Sequence, residues 1–272
     1  MRMCLRLLLA AMVLLAPVLL SAQTKLSGER VQGGLILGQT TRNSRVFFNK
    51  TALRVSKNGD FLFGFGRDAK PSAKLRVIAP DGSEETIALT IKKRDYKIQR
   101  INGLPSKMVT PPKSRLDRIR RENVGIAKAR KFDTARPHYL SGFTAPAKGP
   151  ISGVYGSQRV LNGKPRRPHF GIDYAAPEGA PVIAPSDGIV RLAERDLYYT
   201  GGTVMLDHGH GLSSAFLHMK SVAVQVGERV SQGQNIGTVG ATGRATGPHL
   251  DWRVNWFKVR LDPALVLKLW GK

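Results

Sequence analysis

Cysteine is almost absent from this chain of 272 residues, which has a single one, Cys4, close to its first residue. Cys4 precedes an apolar run, so a chain cleaved after that run has no cysteine and no lipid attachment site of this kind. Disulfide bonds are thereby excluded, and the fold must be stabilised by packing. About 250 residues remain after such cleavage, which is enough for two ordinary domains.

A long membrane-spanning run is also lacking. Basic residues precede an apolar run over 7–20, and Ser21 and Ala22 follow it. The run is shorter than the about 20 residues that a transmembrane helix needs, and it contains Pro17. This pattern predicts a secretory signal peptide over 1–22, and hence export across the inner membrane to the periplasm.

Acidic residues are few, 19 against 43 Lys and Arg, which gives a formal net charge of +24. Residues 92–136 hold 15 basic and 4 acidic side chains, so about half of the excess lies in mid-chain. Such a balance indicates a polyanionic neighbourhood. No helix-turn-helix or aromatic RNA-binding signature is present, so nucleic acid is not expected, and anionic wall polymers or an anionic membrane surface are the better partners. The alternative is that the basic residues are only the solvated face of a helix.

Helical periodicity is sparse, and the expected fold is mainly β. Residues 32–93 predict a small antiparallel β-sandwich-like module that serves for binding, for positioning or as a spacer. Its strands are expected at 35–37, 45–48, 53–56, 61–65, 74–79 and 86–91. Residues 94–138 predict a basic linker with a helix over 114–131, whose apolar stripe is formed by Leu116, Ile119 and Val124.

Residues 139–272 predict a second domain built on an antiparallel sheet, because short β-rich runs alternate with Gly-rich turns. The strands are expected at 181–184, 188–193, 203–207, 212–218, 222–226, 235–239 and 249–255.

Histidines and aspartates of this second domain form a metal-binding pattern. His169 and Asp173 lie four apart, His249 and Asp251 lie two apart, and His218 stands between the pairs. Residues two apart on a strand share a face, so His249 and Asp251 are expected to face one cleft. Imidazole and carboxylate groups at these spacings suggest one zinc site with two further histidines, which is the inventory for metal-assisted hydrolysis.

The segments PHFGID, AFLHM and GATGRATGPHL occur in this order, within a similarity that covers roughly 149–263. Together they resemble the lysostaphin-type (LytM-type) zinc endopeptidases of bacterial cell walls. The resemblance implies an antiparallel sheet with zinc in a groove and cleavage of peptide bonds in peptidoglycan. It implies His169 and Asp173 as metal ligands and His218 and His249 as catalytic residues.

The chain departs from the family at Asp251, where the H-x-H motif has its second histidine, a ligand. Aspartate can ligate zinc through oxygen, so the expected ligand set is His169, Asp173 and Asp251. Two carboxylates neutralise the charge of a divalent ion, which predicts a weaker Lewis acid and a wider choice of divalent cations, manganese among them.

In the expected reaction His249 orients or deprotonates the attacking water, and His218 stabilises the oxyanion or assists the leaving amine; the two roles are exchangeable. Arg159, Arg244 and His208 are candidates for contact with the wall peptide, although His208 also fits a role in shaping its turn.

Two alternatives remain open from the sequence. The first is a non-catalytic regulator that binds wall, or a partner hydrolase or other envelope protein, after loss of the metal. The second is a lipoyl or biotin carrier, suggested by the glycine-punctuated VQVGERVSQGQNIG, against which the leader and the histidines argue.

Overall fold

The computed structural model describes residues 24–271, so the predicted signal peptide over 1–22 lies outside the described residues. The amino-terminal strands are β1 Lys25–Ser27, β2 Leu35–Gln39, β3 Arg45–Phe48, β4 Thr51–Leu53, β5 Asp60–Gly64, β6 Ser72–Ile78 and β7 Glu84–Thr90. The middle segment contains β8 Ile98–Ile101, α1 Ser106–Val109 and α2 Leu116–Ala129, with 3-10 turns at Lys113–Arg115 and His138–Ser141.

The rest of the chain forms β9 Ile151–Gly153, β10 Gln158–Leu161, β11 Lys164–Pro165, β12 Ile172–Ala175, β13 Pro181–Ile183, β14 Gly188–Leu197, β15 Gly201–Gly209, β16 Leu212–Val222, β17 Arg229–Val230, β18 Asn235–Val239, β19 His249–Trp256, β20 Val259–Leu261 and α3 Pro263–Leu269. The predicted mainly-β, antiparallel fold is confirmed, with one parallel pair between β8 and β10. None of the described helices is both long and apolar enough to cross a membrane.

The amino-terminal module consists of two small antiparallel sheets, in the orders β1-β2-β5 and β4-β3-β6-β7. Aromatic side chains fill its core, where the rings of Phe48 and Phe63 stack at 4.6 Å. Phe48 also meets Trp256 of β19 edge to face at 6.0 Å. The module therefore packs against the back of the second sheet, and both belong to one continuous hydrophobic core.

The large carboxy-terminal sheet follows the order β17-β14-β15-β16-β19-β12-β9, with β13, β18 and β20 attached beside that path. In β19 the residues Leu250, Trp252 and Val254 are fully buried in the shared core. Since successive strand residues point to opposite faces, His249 and Asp251 lie on the other face, which we call the open face.

The middle segment is not a free spacer, because it packs on that open face. Strand β8 pairs with β10, and Ile126 and Ala129 of α2 contact Leu217 of β16 and its apolar neighbours. Leu217 lies directly opposite Asp251 in the strand register, so α2 and Asp251 share the open face. The expected stripe was wrong at Val124, which is 68% exposed, while Ile126 faces the sheet instead.

Two strand predictions were misplaced, and two helices, the short α1 and α3, were missed. The strand expected at 53–56 lies at Thr51–Leu53, and the segment 222–226 leaves β16 for a turn rather than forming a strand. The unpredicted α3 begins after Asp262, whose carboxylate accepts a hydrogen bond from the Ala264 amide at 2.9 Å. An Asp-Pro pair at a helix start was the available signal.

Candidate metal centre and groove

Three side chains that could hold a metal converge at the open face: His169, Asp173 and Asp251, all buried. Asp173 of β12 and Asp251 of β19 are directly opposite in the antiparallel register, which brings their carboxylates together. His169 precedes β12 in an irregular segment, as expected for residues four apart. One ligand atom from each side chain lies within 4.8 Å of the other two.

The atoms that face one another in this cluster lack partners. His169 donates from Nδ1 to the Val154 carbonyl at 3.3 Å, so its Nε2 is left to face Asp173 Oδ1 at 3.0 Å and Asp251 Oδ1 at 3.4 Å. His169 Nε2 and Asp173 Oδ1 are buried and take part in no hydrogen bond. Buried polar atoms are normally satisfied, and a cation between these three groups would satisfy both. The residues present therefore fit a metal.

Electrostatics of the cluster also fit a cation. Burial alone would lower the pKa of His169, but the adjacent Asp251 and Asp173 carboxylates raise it above its ordinary value. Two carboxylates thus hold a negative potential at His169 Nε2, the position where a cation would bind.

An arginine donates hydrogen bonds to each of the two carboxylates. Arg159 donates to Asp173 Oδ2 at 2.7 Å. Arg253 donates from Nε to Asp251 Oδ1 at 3.0 Å and from Nη2 to Asp251 Oδ2 at 2.5 Å. Burial would raise the pKa of Asp251, but Arg253 and then His169 hold that pKa well below its usual value. The two positive charges offset the two carboxylates, which the expectation of a weakened Lewis acid did not take into account.

His218 and His249 stand together beside this cluster, with ring centroids 4.8 Å apart. His218 pairs through Nδ1 with the Thr242 carbonyl at 2.7 Å, and His249 does so with the Gly247 carbonyl at 2.8 Å. Because a carbonyl oxygen only accepts, Nδ1 carries the proton in both rings and Nε2 is a free base in the neutral form. Burial lowers the pKa of His218 to about 4, so this ring is neutral at pH 7.

A groove opens over the cluster, with a volume of about 340 Å³. Asp173 and His249 form part of its lining, and Arg159 and Arg244 stand at its walls. The guanidinium of Arg244 lies over the Tyr199 ring at 4.6 Å from the ring centroid. Side chains of the middle segment close one side of the groove: Gln99, Ile101 and Leu104.

Comparison with known proteins decides the family. The family model described as Peptidase family M23 matches residues 167–263, which include every residue of the cluster and both histidines. A solved structure of a peptidase M23 protein from Pseudomonas aeruginosa is similar over 88% of this chain and 95% of that chain, with 31% identity and a TM-score of 0.66. The chain belongs to peptidase family M23. The predicted family is thereby confirmed, and with it the class of metallopeptidases, which are peptide hydrolases.

Curated relatives of this M23 chain match less than half of its length. Peptidoglycan DD-endopeptidase ShyA of Vibrio cholerae is 42% identical over 87 residues, which are 32% of this chain and 20% of that protein. Peptidoglycan DD-endopeptidase ShyB of the same organism is 38% identical over 122 residues, 45% of this chain and 26% of that protein. The M23 chain thus spans about a fifth to a quarter of the length of these relatives.

One predicted site residue of the M23 chain requires correction. His208 is fully buried, with its Nδ1 2.7 Å from the Asp187 carbonyl and its Nε2 2.9 Å from Ser214 Oγ. Its ring packs edge to face on Phe143, on the core side of β15. The prediction that His208 contacts substrate is therefore wrong, because the residue lies in the core, and its alternative role in shaping the turn stays a prediction.

Sequence reasoning missed Arg253, which touches Asp251 directly. The signal was available, because alternation along HLDWRVNW places residues 249, 251 and 253 on one face of the strand. Arg159 was predicted as a substrate contact, and the structure places it at the groove wall with its guanidinium on Asp173.

Proposed function

We propose that this chain is a peptidoglycan endopeptidase that hydrolyses peptide cross-links of the bacterial cell wall. The observation that carries the proposal is the cluster of His169, Asp173 and Asp251, in which two unpartnered buried atoms face each other and Asp173 also lines a groove. The substrate class comes from the relatives named peptidoglycan DD-endopeptidases.

We assign His169, Asp173 and Asp251 as the ligands of one divalent cation, zinc in the first place. A nitrogen and two carboxylate oxygens are a ligand set that zinc accepts in catalytic sites, and manganese is the alternative that harder oxygen ligands allow. When bound, the cation would supply Lewis-acid activation of water and of the scissile carbonyl.

His249 and His218 handle the protons of the reaction. His249 lines the groove, and its basic Nε2 is the group that takes a proton from the attacking water. Neutral His218 has no proton on Nε2, because Nδ1 donates to Thr242, so it cannot donate to an oxyanion until it has gained a proton. Proton transfer to the leaving amine requires the same gained proton, so His218 can take either role only after it has accepted a proton at Nε2.

Arg244 is the residue we assign to the acidic groups of the wall peptide. It lines the groove and its guanidinium rests on Tyr199, which holds the charge at the wall beside the cluster. Arg159 also lines the groove, but its ion pair with Asp173 ties it to the ligand rather than to substrate.

The place of action that we propose is the periplasm, after removal of residues 1–22. The excess of basic residues over 92–136 then faces anionic wall polymer or membrane surface. A wall hydrolase or another envelope protein remains a candidate partner, and nucleic acid does not.

The test is cleavage of purified, cross-linked peptidoglycan by the purified chain, read by mass spectrometry of the released muropeptides. We expect cross-linked dimers to disappear and free amines to form, with loss of the activity in chelator and its return with zinc. His249→Ala should retain metal and lose cleavage. A wild type that holds one metal per chain and leaves all cross-links intact would refute the endopeptidase and favour the non-catalytic regulator.

A further inference from the structure

Arg253 is the feature of the site that the proposed reaction does not use. It lies on β19 two residues after Asp251, on the same face, and opposite Ala215 of β16. Every hydrogen bond that the Asp251 carboxylate accepts within residues 24–271 comes from Arg253. A buried carboxylate with one donor group depends on that group for its charge and for its orientation.

The fork of Arg253 fixes which oxygen of Asp251 faces the cluster. Oδ2 accepts a hydrogen bond from Nη2. Oδ1 accepts only from Nε and keeps a lone pair directed toward His169 Nε2, which is 3.4 Å away. Gly171 leaves room for this pair, because a Cβ at that position would overlap Asp251 and lie 2.8 Å from Arg253 Cγ. The backbone around the ligand is therefore shaped to admit the guanidinium.

The pair also sets the charge of the ligand set. Asp251 alone adds a second negative charge beside Asp173, whereas Asp251 with Arg253 adds none. Arg159 offsets Asp173 in the same way, so a divalent cation held by this cluster keeps its formal charge of two.

We propose that Arg253 is a positioning residue that makes Asp251 a metal ligand, so that the Asp251–Arg253 pair acts as one neutral ligand unit. This inference rests on the metal site of the proposed function. It predicts that Arg253 matters for the metal only while residue 251 is an aspartate.

The experiment is a double-mutant cycle in metal affinity, measured by competition with a zinc chelator in the absence of peptidoglycan. Arg253→Met should weaken zinc binding about tenfold or more, the usual effect of removing a group that orients a ligand. Asp251→His introduces a neutral ligand, so adding Arg253→Met to it should change the affinity less than about threefold. Arg253→Gln, which keeps an uncharged NH2 donor group, should recover part of the loss.

A matched control separates the ligand role from a general one. Arg191 pairs with Asp207 on the same sheet, with side-chain exposures of 20% and 2%, against 24% and 1% for Arg253 and Asp251. Arg191→Met should lower the melting temperature as Arg253→Met does and leave the zinc affinity unchanged. The cobalt-loaded protein supplies a second measurement, since its visible absorption should change with Arg253→Met and not with Arg191→Met.

Equal zinc affinity in wild type and Arg253→Met would overturn the inference. An equal loss of zinc affinity when Arg253→Met is added to Asp251→His would also overturn it, because Arg253 would then act without Asp251. Should Arg253→Met fail to fold, the comparison of Arg253→Gln in the two backgrounds gives the same decision. If the wild type does not cleave peptidoglycan but the double-mutant cycle gives the expected zinc affinities, the proposed function is refuted and the role of Arg253 stands.

Discussion

Helix α2 should leave the open face when Ile126 is replaced by aspartate. Ile126 packs against Leu217 and its apolar neighbours, and Glu122 accepts a hydrogen bond from the Tyr198 amide at 2.8 Å. Burial of part of an isoleucine contributes about 1–2 kcal/mol, and a hydrogen bond to a charged group about 1.5–3 kcal/mol. A carboxylate in that apolar contact costs several kcal/mol, which is comparable to the sum of the two contributions given above.

The assay is limited trypsin digestion at Arg121 and Lys128, two sites inside α2. Ile126→Asp should be cut at least tenfold faster than wild type, because trypsin needs an unfolded or detached segment. Val124→Asp is the matched control, since it adds the same charge to the same helix at a side chain that is 68% exposed. We also expect Ile126→Asp to cleave peptidoglycan faster, because α2 covers part of the open face. Equal rates of digestion for Ile126→Asp and Val124→Asp would refute the conclusion that the contact of Ile126 holds α2 on the open face.

Three further changes test other parts of the structure. Asp262→Ala should lower the free energy of unfolding by about 2–3 kcal/mol in denaturant titrations, through the lost helix cap and an arginine left without its partner, and Asp262→Asn by about half as much. Burial lowers the pKa of His208 to about 4, below its unfolded value, so the unfolded chain binds more protons between pH 6.5 and 4. His208 should contribute about 3 kcal/mol to the fall in stability as the pH drops through that window, in addition to the contribution of His218, and His208→Gln should show a correspondingly shallower fall. Gly153→Ala should weaken zinc binding, because a Cβ there overlaps the Asp173 carboxylate, whereas Gly125→Ala, with nothing within 4 Å, should not.

The local pattern of the sequence predicted much of the sheet, and the pattern together with the family resemblance singled out the three residues that converge at the open face, His169, Asp173 and Asp251. Alternation is clear in the strand at 249–255, where one face is apolar and buried and the other is polar. It failed at 222–226, where Gly227 has a φ of +94° and the chain turns. The sequence pattern alone does not show whether a turn or a continued strand is more stable at this point, so the alternating valines were interpreted as a strand.

Faces were harder to predict than strands. In β15 every residue from 201 to 209 is buried, so alternation assigns His208 to one of two covered faces and cannot say which is core. The apolar stripe of α2 was predicted at the wrong residue for a similar reason. Val124 and Ile126 are both apolar, and only the contact with β16 shows that Ile126 is the one that faces the sheet. Arg253 shows the opposite case, since its spacing from Asp251 was sufficient to place it beside the ligand.

The shared core behind β19 has a consequence for how this protein can move. Phe48 of the amino-terminal module lies against Trp256, and a Cβ at Gly64 would overlap Leu261 of β20, so the module and the sheet interlock. Apolar surfaces packed in this way unfold together. The module therefore supports the back of the sheet and does not move as a hinged cover. Any opening of the groove then has to take place at the front, where residues 98–130 cover part of the sheet.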